Sequence, residues 1–212
     1  MNFELCVITD EKISGGRSHA EIAEKALHGG ADVIQLRDKG RSCAELADVG
    51  RVITAMTRKA GAIFIVNDRL DVAIACGADG VHLGQDDMRV NTARQLAPPG
   101  FVIGVSVGSV EEAVDAEREG ADYLAVSPTF STASKADAGC GLGLERFREI
   151  RRAVSLPLVA IGGINRGNIR DVIAAGADGI AVIAAVVASP DITAAAQELH
   201  NLVRESKRSR ER

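Results

Sequence analysis

A single-domain (β/α)8 barrel of class α/β, the TIM barrel of eight parallel strands alternating with helices, is the fold this sequence predicts. Three observations predict it. Four segments open alike, GADVIQLRD at Gly30, GADGVHLGQ at Gly77, GADYLAVSP at Gly120 and GADGIAVIA at Gly176, and such self-similarity marks a repeated supersecondary unit. Four further β-like runs, at residues 5–9, 63–66, 102–105 and 158–161, interleave with them, each followed by a helical pattern. Aligned by register, the repeats have unlike faces. One is aliphatic throughout, from Ile34 and Leu36 to Ile180 and Val182, and the other carries Gln35, Arg37, His82, Ala125, Ser127, Ala181 and several glycines. The first face suits packing on helices. The second suits a barrel interior narrowing into a ligand site better than a sheet covered by helices on both sides.

The elements follow in order. The first strand, residues 5–9, ends at Asp10, and an amphipathic stretch at 20–28 then leads to Gly30. The glycine that opens each repeat is the expected helix C-cap, and the residues after it form a strand. The second strand runs out into Gln35, Leu36, Arg37, Asp38 and Lys39, the third into Asn67 and Asp68, the fourth into Gln85, Asp86 and Asp87, the fifth into Ser106 and the sixth into Ser127. The interval between the third and fourth repeats is the longest. Its surplus falls at residues 128–143, rich in Ser, Thr, Gly and Ala with a single lysine, which reads as a long mobile loop and a candidate substrate cover. The seventh strand ends in Gly162 and Gly163 and the eighth in Ile183 and Ala184, where barrels of this kind commonly hold a phosphate on backbone N–H groups. Residues 207–212 form a basic tail expected to fray into solvent.

Composition narrows the function classes. A chain of 212 residues, 46% hydrophobic and 25% charged, can bury the core of one domain. The longest apolar stretch, residues 179–188, is about half of the ~20 residues that span a bilayer, and no basic flank, apolar run and cleavage site follow one another at the start. A cytoplasmic protein without a membrane partner is expected. Net charge of −4 and 3% aromatic residues speak against a nucleic-acid surface. Cys6, Cys43, Cys76 and Cys140 are widely spaced and read as reduced thiols rather than a zinc site. Homo-oligomerisation is left open.

In a barrel every loop after a strand lies on one face, so the polar strand ends meet there. Helix capping explains each Asn, Asp or Ser singly. It does not call for Gln35, Arg37 and Lys39 on alternate positions, which puts all three on one side of a strand and its extension. Asp68 and Asp87 end neighbouring strands, and two carboxylates completed by phosphate oxygens and water suit Mg2+, whereas zinc would prefer His or Cys. His82 reads as a hydrogen-bonded structural residue rather than a ligand or acid–base group. These positions imply a magnesium–diphosphate half from strands two to four and a monophosphate half from strands seven and eight, hence two phosphorylated small-molecule substrates.

The motifs also occur together in one known family. QLRDK at residues 35–39, VNDRLDVA from Val66, GADGVHLGQDD from Gly77, GVS at 104–106, the 127–135 loop and AIGGI from Ala160 resemble thiamine phosphate synthase along nearly the whole chain. The resemblance implies a transferase that joins 4-amino-2-methyl-5-(diphosphooxymethyl)pyrimidine to 4-methyl-5-(2-phosphooxyethyl)thiazole, or its carboxylated form, with one Mg2+ per active site. It implies that Gln35, Leu36, Arg37, Asp38, Lys39, Asn67, Ser106 and Lys135 hold the pyrimidine diphosphate, and that Asp68 and Asp87 bind the metal. Thr132, Ala133, Ser134, Gly163 and the backbone of Ile183 and Ala184 would hold the thiazole phosphate. Catalysis would fall to Lys135, Lys39 and Arg37, which neutralise the departing diphosphate, with no protein nucleophile. The loop departs from the family's usual Gly-Pro-x-Phe-Pro-Thr-x-Thr-Lys at Ser127, Ser131 and Ser134, and Ala184 stands where serine is common. Two rivals are a thiazole tautomerase of similar fold and a non-catalytic paralogue that binds thiazole phosphate. The paired aspartates, and the lack of a histidine at residues 108–110, favour the synthase over both.

Overall fold

The computed structural model describes residues 3–132 and 141–210. Eight strands, β1 (Leu5–Ile8), β2 (Val33–Leu36), β3 (Ile63–Asn67), β4 (Gly80–Leu83), β5 (Val102–Val107), β6 (Tyr123–Val126), β7 (Leu158–Ile161) and β8 (Gly179–Val182), close into a parallel barrel in chain order. The helices outside are α1 (His19–His28), α2 (Cys43–Ala60), α3 (Leu70–Cys76), α4 (Val90–Leu96), α5 (Val110–Glu119), α6 (Gly143–Ala153), α7 (Ile169–Ala174), the short α8 (Ala184–Val187) and α9 (Ile192–Arg210).

The repeated Gly-Ala-Asp has a structural cause. In each repeat the aspartate reaches back to the start of the preceding strand and accepts its N–H: Asp32 from Glu4 and Leu5, Asp79 from Phe64, Asp122 from Ile103 and Asp178 from Leu158, all at 2.7–2.9 Å. Leaving such a buried donor unpaired would cost about 1–3 kcal/mol. Each unit thus ties an odd strand to the next even one at the barrel floor. The glycines before these aspartates close helices, with one adjustment. Gly77 and Gly120 are the left-handed C-caps of α3 and α5, whereas α1 and α7 are capped by Gly29 and Ala175, and Gly30 and Gly176 follow at φ 89° and 107°.

The two faces separate as the sequence predicts. Ile34, Leu36, Val81, Leu83, Leu124, Val126 and Ile180 are buried beneath the helices, and the register brings Gln35 beside Ile65, His82 beside Gly104 and Ser106 beside Ala125 on the interior side. Tyr123 fills the barrel's lower interior against Phe3, with ring centroids 4.8 Å apart. A Cβ at Gly104 would overlap the Tyr123 ring, so that glycine makes room for the plug.

Helix ends carry their own signals. Ser42 and Glu45 form a reciprocal capping box on α2, and Ser18 and Ser109 cap α1 and α5, contacts worth about 1 kcal/mol each. The expected frayed tail is corrected as far as Arg210. α9 continues through that residue, and the Arg210 guanidinium donates to the carbonyls of Ile173 and Ala177. Ile192, Ala196, Leu199 and Val203 bury one stripe of α9 as far as Val203, and beyond it Arg210 and the Lys207–Glu4 pair tie the last turns to the barrel. Among the described residues no helix is long and apolar enough to cross a membrane.

Candidate active site

Two lobes open at the C-terminal ends of the strands and meet at Ser127 and Pro128, which line both. The wider lobe encloses about 1050 Å3 and the narrower about 520 Å3, each including space open to solvent.

Arg37, Lys39, Asn67, Asp68, Asp87 and Ser106 all line the wider lobe. Arg37 projects from the end of β2 and is steadied by Asp10, with Nη1 3.5 Å from Oδ2. Asp68 follows β3 with φ 63°, the one described non-glycine residue at positive φ. The Arg69 N–H closes a three-residue turn around it onto the Asn67 carbonyl at 2.7 Å, and the Asp68 N–H donates to the His82 carbonyl at 2.8 Å. A three-residue turn at positive φ is rare and strained for a residue with a side chain, so the turn is held by its surroundings. The Asp87 carboxylate accepts the Gly84 N–H at 2.7 Å. Both aspartates therefore occupy fixed turns on adjacent strands and face one cavity with two cations. That donor set, all oxygen with no thiol, fits Mg2+.

His82 is buried, with Nδ1 2.8 Å from the Tyr123 hydroxyl and Nε2 2.9 Å from Ser106 Oγ. Burial pushes the Tyr123 phenol well above its usual range, so it stays protonated. His82 thus supports Ser106 from below.

The narrower lobe has Thr132, Gly163, Ile183 and Ala184 on its wall, with Ile161, Ile164 and Ala181 adding apolar surface. Gly162 and Gly163 turn at φ 92° and 65°. A Cβ at Gly163 would stand 2.6 Å from the Ser131 carbonyl oxygen and 2.8 Å from Phe130 Cβ. The glycine is therefore required by the loop after β6 packing on the turn after β7, a constraint the sequence did not disclose.

Three expected site residues lie elsewhere. Gln35 is 3% exposed and sits a layer below the wider lobe, and Leu36 is 1% exposed on the outward face. Asp38 alternates with Arg37 and Lys39 and turns away from the cavity. Its carboxylate accepts the Gly40 N–H at 2.8 Å and contacts His19 and Arg41. Burial opposes ionisation there, but the Gly40 N–H and His19 hold Asp38 below the usual carboxylate range. Ala133, Ser134 and Lys135 lie outside the described residues. Sequence reasoning missed the apolar wall of Ile161, Ile164 and Ala181, which carries no chemical signature, and Pro128, whose shared position emerges only in three dimensions.

A second acidic cluster stands behind the loop after β2. Ligand atoms of Glu11, His19 and Asp38 lie within 4.8 Å of one another. Arg41 is 2.8 Å from Glu11 and 3.3 Å from Asp38, so a guanidinium already supplies this cluster with positive charge.

Comparison with known proteins identifies the family and agrees with the fold. The sequence model described as thiamine monophosphate synthase matches residues 5–186. The thiamine-phosphate synthase of Methanoregula boonei is 62% identical over 207 residues, covering 98% of this chain and 96% of the relative. That of Methanoculleus marisnigri is 60% identical over 207 residues, covering 98% of each. Among solved structures, thiamine phosphate pyrophosphorylase from Pyrococcus furiosus superposes with a TM-score of 0.90 at 44% identity, covering 97% of both chains.

Proposed function

The chain belongs to the thiamine monophosphate synthase family, and from that premise we propose that its two lobes are the sites of the two substrates this family's reaction joins. The enzyme is a transferase that forms thiamine phosphate and diphosphate from the pyrimidine diphosphate and the thiazole phosphate. The observation that carries the assignment of sites is their meeting at Ser127 and Pro128. A charged lobe and a small-residue lobe open onto each other, so a carbon held in one can be attacked from the other.

Arg37, Lys39, Asn67 and Ser106 hold the pyrimidine diphosphate in the wider lobe. The bond from the pyrimidine methylene carbon to the diphosphate oxygen breaks, the electron pair leaves with diphosphate, and the amino-substituted ring delocalises the cation. The thiazole nitrogen then forms the new C–N bond. Arg37 and Lys39 stabilise the charge gathering on the leaving oxygens. Mg2+ held by Asp68 and Asp87 would supply further positive charge to the diphosphate when bound. Ile161, Ile164 and Ala181 give the thiazole ring an apolar wall, while Thr132, Gly163 and the first amides of α8 face its phosphate. Holding the two partners in line replaces a bimolecular encounter with a positioned one, and no side-chain nucleophile is needed. A cytoplasmic setting belongs to the same reading, supported by the unpaired Cys6, Cys43 and Cys76.

Incubation with both substrates and Mg2+ should yield thiamine phosphate, identified by mass, with one diphosphate released per product. A tautomerase would isomerise thiazole phosphate alone, and a binding paralogue would turn over neither. Either result sinks the assignment.

A further inference from the structure

We propose that His19, which lines neither lobe, is a positioning residue that aims Arg37 and Lys39 at the leaving diphosphate, an inference that rests on the assignment of the wider lobe above. His19 is the first residue of α1 and only 1% exposed. Its Nδ1 lies 2.7 Å from Thr9 Oγ1 and its Nε2 3.2 Å from Asp38 Oδ2. The Thr9 hydroxyl oxygen in turn accepts the Arg37 N–H at 3.4 Å.

The donors and acceptors form one consistent chain. The Arg37 amide donates to Thr9 Oγ1, the Thr9 hydroxyl donates to His19 Nδ1, and His19 Nε2–H donates to Asp38. This assigns the imidazole its Nε2–H tautomer, in which each nitrogen has one role. The chain leaves the loop at the backbone of Arg37 and returns to it at the side chain of Asp38, so two consecutive residues are gripped from behind by one buried ring. Successive side chains of an extended segment point to opposite sides. Fixing Asp38 toward His19 therefore directs Arg37 and Lys39 the other way, into the wider lobe that both line. Arg41 reinforces the grip through Glu11, whose Oε1 also accepts the backbone N–H of His19 at 3.1 Å.

His19 does not touch the site, so its removal should act asymmetrically. His19→Leu keeps bulk in the buried position but removes both contacts. Titration calorimetry with magnesium and inorganic diphosphate should show affinity weakened by about 10- to 100-fold, the scale of a catalytic group misplaced by about 1 Å. Thiazole phosphate titrated separately should bind within about twofold of the parent, since uniform loss is not expected for a displaced loop. His19→Gln, whose amide offers one donor and one acceptor, should recover most of the diphosphate affinity. If His19→Leu does not fold, Thr9→Val cuts the same chain at its other end, where Thr9 Oγ1 lies 2.7 Å from His19 Nδ1 and accepts the Arg37 N–H at 3.4 Å, and should give the same asymmetry. Equal losses for both ligands, no loss for either, no recovery with glutamine, or a parent protein that binds no magnesium diphosphate overturns the proposal. Failure of the parent to make thiamine phosphate counts against the proposed function, and the titrations judge His19 without turnover.

Discussion

Arg37, Lys39, Asn67, Asp68 and Asp87 surround the wider lobe with side-chain charge and amide, whereas Gly162, Gly163, Ile164 and Ala184 surround the narrower one with backbone and small apolar groups. On the proposed assignment, one mouth therefore holds two kinds of recognition. A diphosphate that must leave gathers charge as its bond breaks, and cations that meet that growing charge lower the barrier. The thiazole phosphate keeps its charge throughout, so for it the protein needs shape and a fixed position. Substitutions should divide along the same line. Changes in the wider lobe should remove catalysis with the fold intact, and changes in the narrower lobe should strain the fold and alter one affinity.

The largest effect is expected where the metal would sit. Asp68→Asn keeps the size and shape of the side chain at the strained turn, and Asp87→Asn keeps an acceptor for the Gly84 N–H, so both should melt within a few degrees of the parent. Turnover should fall by about 10²- to 10³-fold in each, the scale of losing one group that stabilises transition-state charge. Chelation of Mg2+ from the parent should mimic the loss, while thiazole phosphate binding, measured by calorimetry, stays unchanged. Near-parental turnover in either variant would show that the two carboxylates do not form the metal site.

An intermediate effect is expected at Gly163. Gly163→Ala places a methyl group against Ser131 and Phe130 at φ 65°, and overpacking of this kind typically costs about 1–3 kcal/mol. In a chain of this length that corresponds to a melting point lower by roughly 3–10 °C. As the turn and the loop after β6 move apart, the KM for thiazole phosphate should rise about tenfold, or about 1.4 kcal/mol, with that for the pyrimidine diphosphate little changed. A matched rise in both constants would mean that the lobes are not separable.

The same division explains what the sequence discloses. Strands, helices and barrel closure are legible because burial imposes a period on residue types, and the aspartates of the four repeats mark the floor. The wider lobe is legible because charge is rare inside a barrel, so Arg37, Lys39, Asp68 and Asp87 stand out by chemistry. Asp38 misleads because alternation sends it to the opposite side of the loop from its neighbours, where His19 and Arg41 receive it. His19 itself, distant in sequence, gives no signal beyond its type. The narrower lobe is legible only through glycine pairs and position, and its apolar wall resembles any core. Charge likewise suggests that residues 207–210 fray, but Lys207 pairs with Glu4 and Arg210 donates to the Ile173 and Ala177 carbonyls.

The smallest effect is expected at Ala184, the exposed first residue of α8 on the wall of the narrower lobe. Ala184→Ser adds one hydroxyl at the start of α8, across the lobe from the hydroxyls of Ser127 and Thr132 that already line it. Serine costs about 0.5 kcal/mol of helix propensity at most, and an exposed side chain creates no clash, so the melting point should barely move. A hydroxyl that reaches a phosphate oxygen replaces a bond to water, which limits the gain to about 0.5–1.5 kcal/mol. Affinity for thiazole phosphate should therefore rise about two- to tenfold, with no change in magnesium dependence or in the KM for the pyrimidine diphosphate. The dephosphorylated thiazole alcohol provides the internal control, because a contact to phosphate gives it nothing. If the serine variant gains equally for the alcohol, the new hydroxyl is acting on the ring. If it gains for neither, the phosphate does not lie against the start of α8, and the narrower lobe holds the thiazole in another orientation.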